Sequence, residues 1–412
     1  MKSWMTGTLA VLFSGWLAAL NMGYRPYPIS GEARHHTLVV IQSPSPFMAR
    51  LTQKLVTMQD RLRNSNFGTG TIPEVSSTTV APQHLLVTKS PMGTSLPSLA
   101  GARSHPWVLG YYTQYSPDSV TSQNSLAANL NIITDIAPLW YSYRANGSLE
   151  TMGYDRAKVR AYARTRGIGV YPLVTNAGEN DAILENASDR TTVVESLVQM
   201  AVQDNYPGYN IDFEGLNYWD RQGLSDFVIQ LSRALHPLGK KVTVAVIPKT
   251  FTDPYGRAYD YQVLGQYASK VVLMTYDYHC IGSQPGPVAP LGWVTDAVNY
   301  ALTKMPARKI VLGIAVYGYN WGSNGTTVEV HDEQAVNLAA MEGATINWDS
   351  TYQEPWFSYN QGQVQHIVWF ENGYSDAFKI KLAQQDHLGG IAIWRLGDED
   401  PHLWTVLHTM GY

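Results

Sequence analysis

The sequence predicts an α/β fold: a closed (β/α)8 TIM barrel with a small α+β insertion after its seventh strand, preceded by a hydrophobic N-terminal segment and a flexible spacer. Three observations carry that expectation. From Pro106 onward, eight strand-length apolar runs recur, each nearly continuous instead of alternating with polar residues. Strands covered on both faces have that character. Polar stretches of helical character separate the runs, as a parallel barrel requires, and the gap between the seventh and eighth runs is too long for one helix.

The elements follow in order. Lys2 precedes an uncharged stretch, Ser3 to Tyr24, rich in Leu, Ala, Trp and Phe. Residues 1–24 read as a secretory signal or a membrane anchor, since the run is about long enough to span a bilayer. Both readings imply export. Within residues 25–105, Leu51, Leu55, Met58 and Leu62 fall on one helical face, with charged residues between them. A short amphipathic helix over Phe47 to Asn64 follows. From Ser65 to His105 the chain is poor in charge and rich in Ser, Thr, Pro and Gly, the composition of a spacer.

The barrel is expected over residues 106–412. Its strands are Trp107 to Tyr112, Ile132 to Trp140, Gly167 to Val174, Gly208 to Phe213, Lys241 to Ile247, Lys270 to Tyr276, Lys309 to Tyr317 and Gly389 to Trp394. Thr191 to Asp204 and Leu224 to Leu235 are among the helices between them. The insertion spans about Asn320 to Asp376, with a helix near Glu333 to Met341 and strands near Trp356 to Tyr359 and Val364 to Phe370. No Gly-rich phosphate turn follows the first strand, which disfavours an open dinucleotide-binding sheet.

Composition narrows the function. A hydrophobic share of 45% provides a substantial core, and a net charge of -4 offers no basic surplus for nucleic acid. The 26 Tyr and 12 Trp exceed what a groove needs, so most are barrel packing, with some rings free to stack on sugar faces. Cys280 is the single cysteine, so no internal disulfide forms. It reads as a small buried hydrophobe rather than a nucleophile. His279, His331, His366 and His387 are scattered without ligand spacing, and no Gly-x-Ser-x-Gly elbow occurs. Neither a metal, a cofactor nor a serine nucleophile is expected.

In such barrels the active site lies at the C-terminal strand ends. The fourth strand ends in Asn210, Asp212 and Glu214, which share one face because side chains alternate. Polar groups facing a barrel interior cost free energy unless hydrogen-bonded or functional. A salt-bridged structural cluster is the competing reading, and few Lys or Arg stand at strand ends to make one. Tyr276 and Asp277 end the sixth strand at the same rim, and Trp394 ends the eighth, placed to floor a pocket. Acids, a Tyr and a Trp converging there suit glycosidic bond cleavage, with one acid kept protonated by burial.

The run Tyr209-Asn210-Ile211-Asp212-Phe213-Glu214-Gly215 resembles the acidic signature of glycoside hydrolase family 18, the chitinase-like barrels. Met274 to Asp277 resembles that family's sixth-strand motif, Trp394 its eighth-strand tryptophan, and the insertion its chitinase insertion domain. More similar still is the branch of bacterial spore peptidoglycan hydrolases that process cortex fragments. Asp277-Tyr278-His279, Gly282-Ser283, Pro285 to Pro290, Val368 to Glu371 and Trp394 to Gly397 carry that likeness, which covers about Pro106 to Tyr412.

The resemblance implies substrate-assisted retention, an exception to the two-carboxylate rule. It implies Glu214 as general acid and then base, Asp212 orienting the substrate's acetamido group, and Tyr276 bonding its carbonyl. Asp277 would support that arrangement, Asn210 would be a neutral member of the substrate-binding set, and Trp394 would stack beneath the sugar. The implied partner is an N-acetylated glycan, peptidoglycan or chitin-type. A monomeric barrel is expected, with membrane contact confined to the N-terminus, in a secreted, membrane-anchored or spore or cell-wall protein. The broad family carries acids two and five positions before Asp212, where this chain has Asn210 and Pro207. The peptidoglycan-binding repeats that precede the barrel in spore enzymes are not visible in residues 25–105. A chitinase shares every catalytic residue. A catalytically inactive sugar-binding wall protein is the rival from another class, and it would typically have lost the acid that Glu214 retains.

Overall fold

A computed structural model describes residues 106–412 except 145–146, 177, 179–180 and 253–254. The hydrophobic segment, the amphipathic helix and the spacer expected before Pro106 lie outside the described residues. Among the described residues, no helix is long and apolar enough to cross a membrane.

The ring of staves is built from β1 (Trp107–Tyr112), β2 (Asp135–Tyr143), the split pair β4 (Gly169–Val170) and β5 (Leu173–Asn176), β6 (Gly208–Asp212), β7 (Lys241–Val246), β8 (Lys270–Leu273) and β9 (Ile310–Ala315). A short β3 (Leu149–Thr151) adds an antiparallel hairpin to β2. The insertion follows β9, and the last stave is β15 (Gly390–Trp394). Parallel pairing runs β1-β15-β9-β8-β7-β6-β5-β2, and β2 returns to β1, which closes the barrel. Closure leaves no stave edge unpaired, and both faces of each stave are covered, so the apolar runs are continuous.

The fourth stave illustrates the layering. Tyr209, Ile211 and Phe213 are at most 1% exposed and face the helices. The Tyr209 hydroxyl donates to the Leu197 carbonyl at 2.8 Å, on the helix Ala187–Gln203. Phe213 packs on Phe227 of the helix Arg221–Leu235 with ring centroids 5.2 Å apart. The alternate residues, Asn210 and Asp212, are left facing the barrel axis. The helix Ala187–Gln203 begins where Asn186 caps it by accepting from the Ser188 amide.

Several element boundaries differ from the sequence expectation, four of them for a local reason. The second stave starts at Asp135, three residues after Ile132, because its register to β1 pairs Asp135 with Leu109. The third is split at Tyr171-Pro172. Pro172 has no amide to give the ladder, although its carbonyl still accepts from Asn210 N at 3.1 Å. The sixth ends at Leu273, not Tyr276. Beyond it Thr275 N donates back to Leu273 O and Tyr276 N to Met274 O, tight three-residue turns that leave the ladder. The seventh ends at Ala315, and Tyr317 already opens the insertion.

The insertion therefore begins at Tyr317 instead of Asn320. Its strands are β10 (Tyr317–Gly322), β11 (Thr327–His331), β12 (Asn347–Asp349), β13 (Glu354–Gln361) and β14 (Val364–Phe370), paired antiparallel in the order β11-β10-β14-β13-β12. A helix over Asp332–Met341 packs with Val330, Ala335, Ala339, Phe357, Val368 and Phe370 as a core of its own. The insertion is tied to the barrel by buried polar contacts. Glu354 accepts from the Val288 and Ala289 amides at 2.8 Å each, in the segment after β8. Glu371, at the end of β14, pairs with Lys379 at 2.7 Å, and both side chains are at most 1% exposed.

Candidate active site

The C-terminal ends of the staves surround a cavity of about 890 Å3, open mouth included. Asp212, Glu214, Tyr276, Asp277 and Trp394 line it, together with Tyr111, Ile247, Met274, Cys280, Ile281 and Tyr319. The fold thus brings five of the six residues singled out in the sequence to one cavity. Asn210, fully buried, is not among the lining residues and lies one pleat below Asp212.

Asp212 is 6% exposed, and its Oδ1 has no hydrogen-bond partner among the described residues. Burial pushes its carboxyl up to about 7, because a charge there has lost most of its hydration. Glu214 sits beyond the end of β6, half-buried, and Gly215 follows with φ +67°, a left-handed turn that glycine takes without strain. Tyr111 and Tyr276 stand close enough to Asp212 that its charge adds to burial in raising both phenols well above their ordinary range. They stay protonated and available as donors.

Asp277 is held differently. Its φ of +59° is uncommon for a non-glycine residue. Its Oδ1 accepts from the hydroxyls of Tyr317 at 2.7 Å and Tyr319 at 2.8 Å, both on β10. Residues two apart on a strand share a face, so one insertion strand supplies both donors. Burial raises the Asp277 carboxyl, and these two bonds oppose the shift. Among the described residues no ion pair reaches Asp212 or Asp277, so these two aspartates are not part of a salt-bridged cluster.

Aromatic rings complete the walls. Trp394 meets Tyr111 edge-on at 5.1 Å, and Tyr276 meets Tyr317 edge-on at 6.3 Å. Cys280 is 7% exposed, and burial with the nearby Asp277 charge pushes its thiol up to about 12. It contributes apolar wall, not a thiolate. The carboxylates of Asp181, Glu185 and Asp220 come within 4.8 Å of one another. None lines the cavity, and Asp220 is engaged as a cap, accepting from the Asn217 amide at 2.6 Å.

Sequence reasoning passed over Tyr111 and Tyr319. Tyr111 stands near the C-terminal end of the first stave, so the rule that flagged Glu214 could have found it. Tyr319 belongs to the insertion, whose docking over the rim leaves no local sequence signal. The arrangement suits proton transfer to a leaving oxygen next to a developing positive charge.

A profile for Glycosyl hydrolases family 18 matches residues 108–400. The chain is 31% identical over 284 residues to a cortical fragment-lytic enzyme of Bacillus subtilis (strain 168), covering 65% of this chain and 66% of that protein. The crystal structure of the Bacillus cereus spore cortex-lytic enzyme SleL is similar with a TM-score of 0.68 at 28% identity, covering 74% of each chain. A chitinase from Chromobacterium violaceum ATCC 12472 matches with a TM-score of 0.68 at 29% identity, covering 74% of this chain and 98% of that one.

Proposed function

The chain belongs to glycosyl hydrolases family 18, and from that premise we propose that it cleaves bonds at N-acetylglucosamine in peptidoglycan, spore-cortex fragments included, by substrate-assisted retention. Glu214 donates its proton to the glycosidic oxygen as the acetamido oxygen of the same sugar attacks the anomeric carbon. The leaving sugar departs as an alcohol, and a cyclic oxazolinium remains. Glu214, now a carboxylate, takes a proton from water, whose oxygen opens the ring and restores the acetamide.

In this reading Asp212 faces the acetamido nitrogen and offsets the positive charge that develops there. Tyr276 donates to the acetamido carbonyl, Asp277 supports the pair from its tyrosine cradle, and Trp394 stacks beneath the sugar. The observation that carries the proposal is the Asp212 carboxyl, buried without a cation and pushed up to about 7 in the same cavity as Glu214. Such a group costs stability and is retained where its charge is used. The hydrophobic segment before the barrel suits delivery to the wall, where the barrel acts as a monomer.

Glu214→Gln in the full chain should lose at least about 100-fold in turnover of cortex fragments while keeping the fold. Mass spectrometry of the products against wild type checks this, and a fully active variant refutes it. The similarity to the Chromobacterium chitinase supports a second reading, action on chitin. Side-by-side digestion of chitin oligomers and cortex fragments separates the two.

A further inference from the structure

Glu214 lies two residues beyond the last ladder position of β6, so strand pairing no longer fixes its backbone. Two side chains take over, Asn176 at the end of the neighbouring stave β5 and Tyr259 in the segment after β7. The Asn176 Oδ1 accepts from Glu214 N at 2.8 Å, and the Asn176 Nδ2 donates to Glu214 O at 2.8 Å. One amide therefore clasps both polar groups of a single residue, as a neighbouring strand would. The reciprocal pair also settles which end of the amide is oxygen, since only one orientation satisfies both bonds. On the other flank, the Tyr259 hydroxyl donates to Phe213 O at 2.7 Å. Both clasping side chains are buried, Asn176 at 7% exposed and Tyr259 at 2%. Tyr259 is itself anchored, because its carbonyl accepts from the buried Lys249 Nζ at 2.7 Å.

We infer that Asn176 and Tyr259 are positioning residues that aim the Glu214 carboxyl at the leaving oxygen. The inference rests on the reading of Glu214 as proton donor. The physical need is specific. Gly215 follows Glu214 at φ +67° and offers no steric resistance to rotation. Without the clasp, the backbone of Glu214, set between a strand end and a glycine, loses both of its bonds to Asn176. A displacement of about 1 Å at a reacting group costs roughly 100-fold in rate, and it costs most where the proton is needed most.

The test uses that selectivity. Two N-acetylglucosaminyl substrates are compared on the full chain by kcat/KM, which reports the steps up to departure of the leaving group. One carries a dinitrophenyl leaving group that departs without a proton, the other a sugar that needs one. Glu214→Gln should lose at least about 100-fold on the sugar substrate and under about 10-fold on the dinitrophenyl glycoside. Asn176→Ala should copy that signature, with a loss of roughly 10- to 100-fold on the sugar substrate and under about 3-fold on the activated one. Tyr259→Phe deletes one oxygen and keeps the ring, so it should show the same selectivity at about 3- to 10-fold. If Asn176→Ala does not fold, Tyr259→Phe decides alone. Equal losses on both substrates in the two positioning variants, while Glu214→Gln stays selective, overturn the positioning role only. Equal losses in Glu214→Gln overturn the proton-donor reading and the inference with it.

Discussion

Replacing Asp212 with Asn should separate what this carboxylate does for catalysis from what it costs the fold. Burial raises its carboxyl from the ordinary carboxylate range to about 7. That rise caps the penalty at about 4 kcal/mol, and relaxation around the site makes about 2–4 kcal/mol the working range. The sign follows from proton binding. Between about pH 4 and pH 7 the folded chain keeps a proton that the unfolded chain has released, so stability falls as pH rises through that window. Above about pH 7 the whole penalty is present, and below about pH 4 it vanishes. Asn has nearly the same shape and no charge. The variant should therefore melt roughly 4–8 °C above wild type near pH 8 and level with it near pH 4. Turnover should meanwhile fall by on the order of 100-fold or more, as when one preorganised charge-stabilising group is removed. Calorimetric scans of both full-length proteins at matched rates, from about pH 4 to pH 8, read the effect. A variant melting at or below wild type near pH 8, or a gap that does not change with pH, would refute the reasoning.

The same shift predicts the shape of the activity profile. If charged Asp212 offsets the developing cation, kcat/KM should decline on the acid side with an apparent value near 7, and Asp212→Asn should lose that limb. Each tyrosine on Asp277 lowers a carboxyl that burial has raised. Tyr317→Phe or Tyr319→Phe should each cost about 1.5–3 kcal/mol near pH 8, and a double-mutant cycle by denaturant titration should return a coupling between them, because they share one oxygen. Additive losses would count against the shared cradle. Lys379→Met leaves Glu371 buried without its cation, so it should destabilise by about 3–5 kcal/mol, and adding Glu371→Gln should recover much of the loss.

The barrel was legible because its staves are buried on both faces, which leaves continuous apolar runs that no surface element mimics. The acidic end of the fourth stave was legible because alternation places Asp212 and Glu214 on the side opposite Ile211 and Phe213, whatever the rest of the chain does. Boundaries were less so. Lys270 to Tyr276 reads as one strand, yet the backbone leaves the ladder at Leu273 through turns that apolar residues tolerate as well as strands do. The split of the third stave at Pro172 was visible in principle, since a proline cannot donate to the ladder. Tyr319 and the Glu354 contact with Val288 and Ala289 depend on how the insertion docks, and pairing between distant segments leaves no periodicity to read. Asn176 is a single polar residue at a strand end. Only the reciprocal bonds to Glu214 distinguish it from any other.

The two aspartates of the cavity are attended by phenols where a cation would have been the simpler partner. Tyr111 and Tyr276 stand near Asp212 without bonding its Oδ1, and Tyr317 and Tyr319 hold Asp277 by hydrogen bonds. An arginine in either place would lower the carboxyl and stabilise the fold, but it would also neutralise the charge before substrate arrives. Phenols kept protonated by burial can donate hydrogen bonds to an acid without cancelling it. They leave a negative charge whose best partner is the cation formed when the acetamido oxygen closes on the anomeric carbon. That cation exists only along the reaction, so the interaction lowers the barrier without tightening the ground state by the same amount. On this account the instability predicted for Asp212 and the rate it contributes have one origin. Introducing an arginine beside Asp212, for example Tyr111→Arg, should therefore remove both. Between about pH 4 and pH 8 its melting point should lose the pH dependence predicted for wild type, and its turnover should fall toward that of Asp212→Asn.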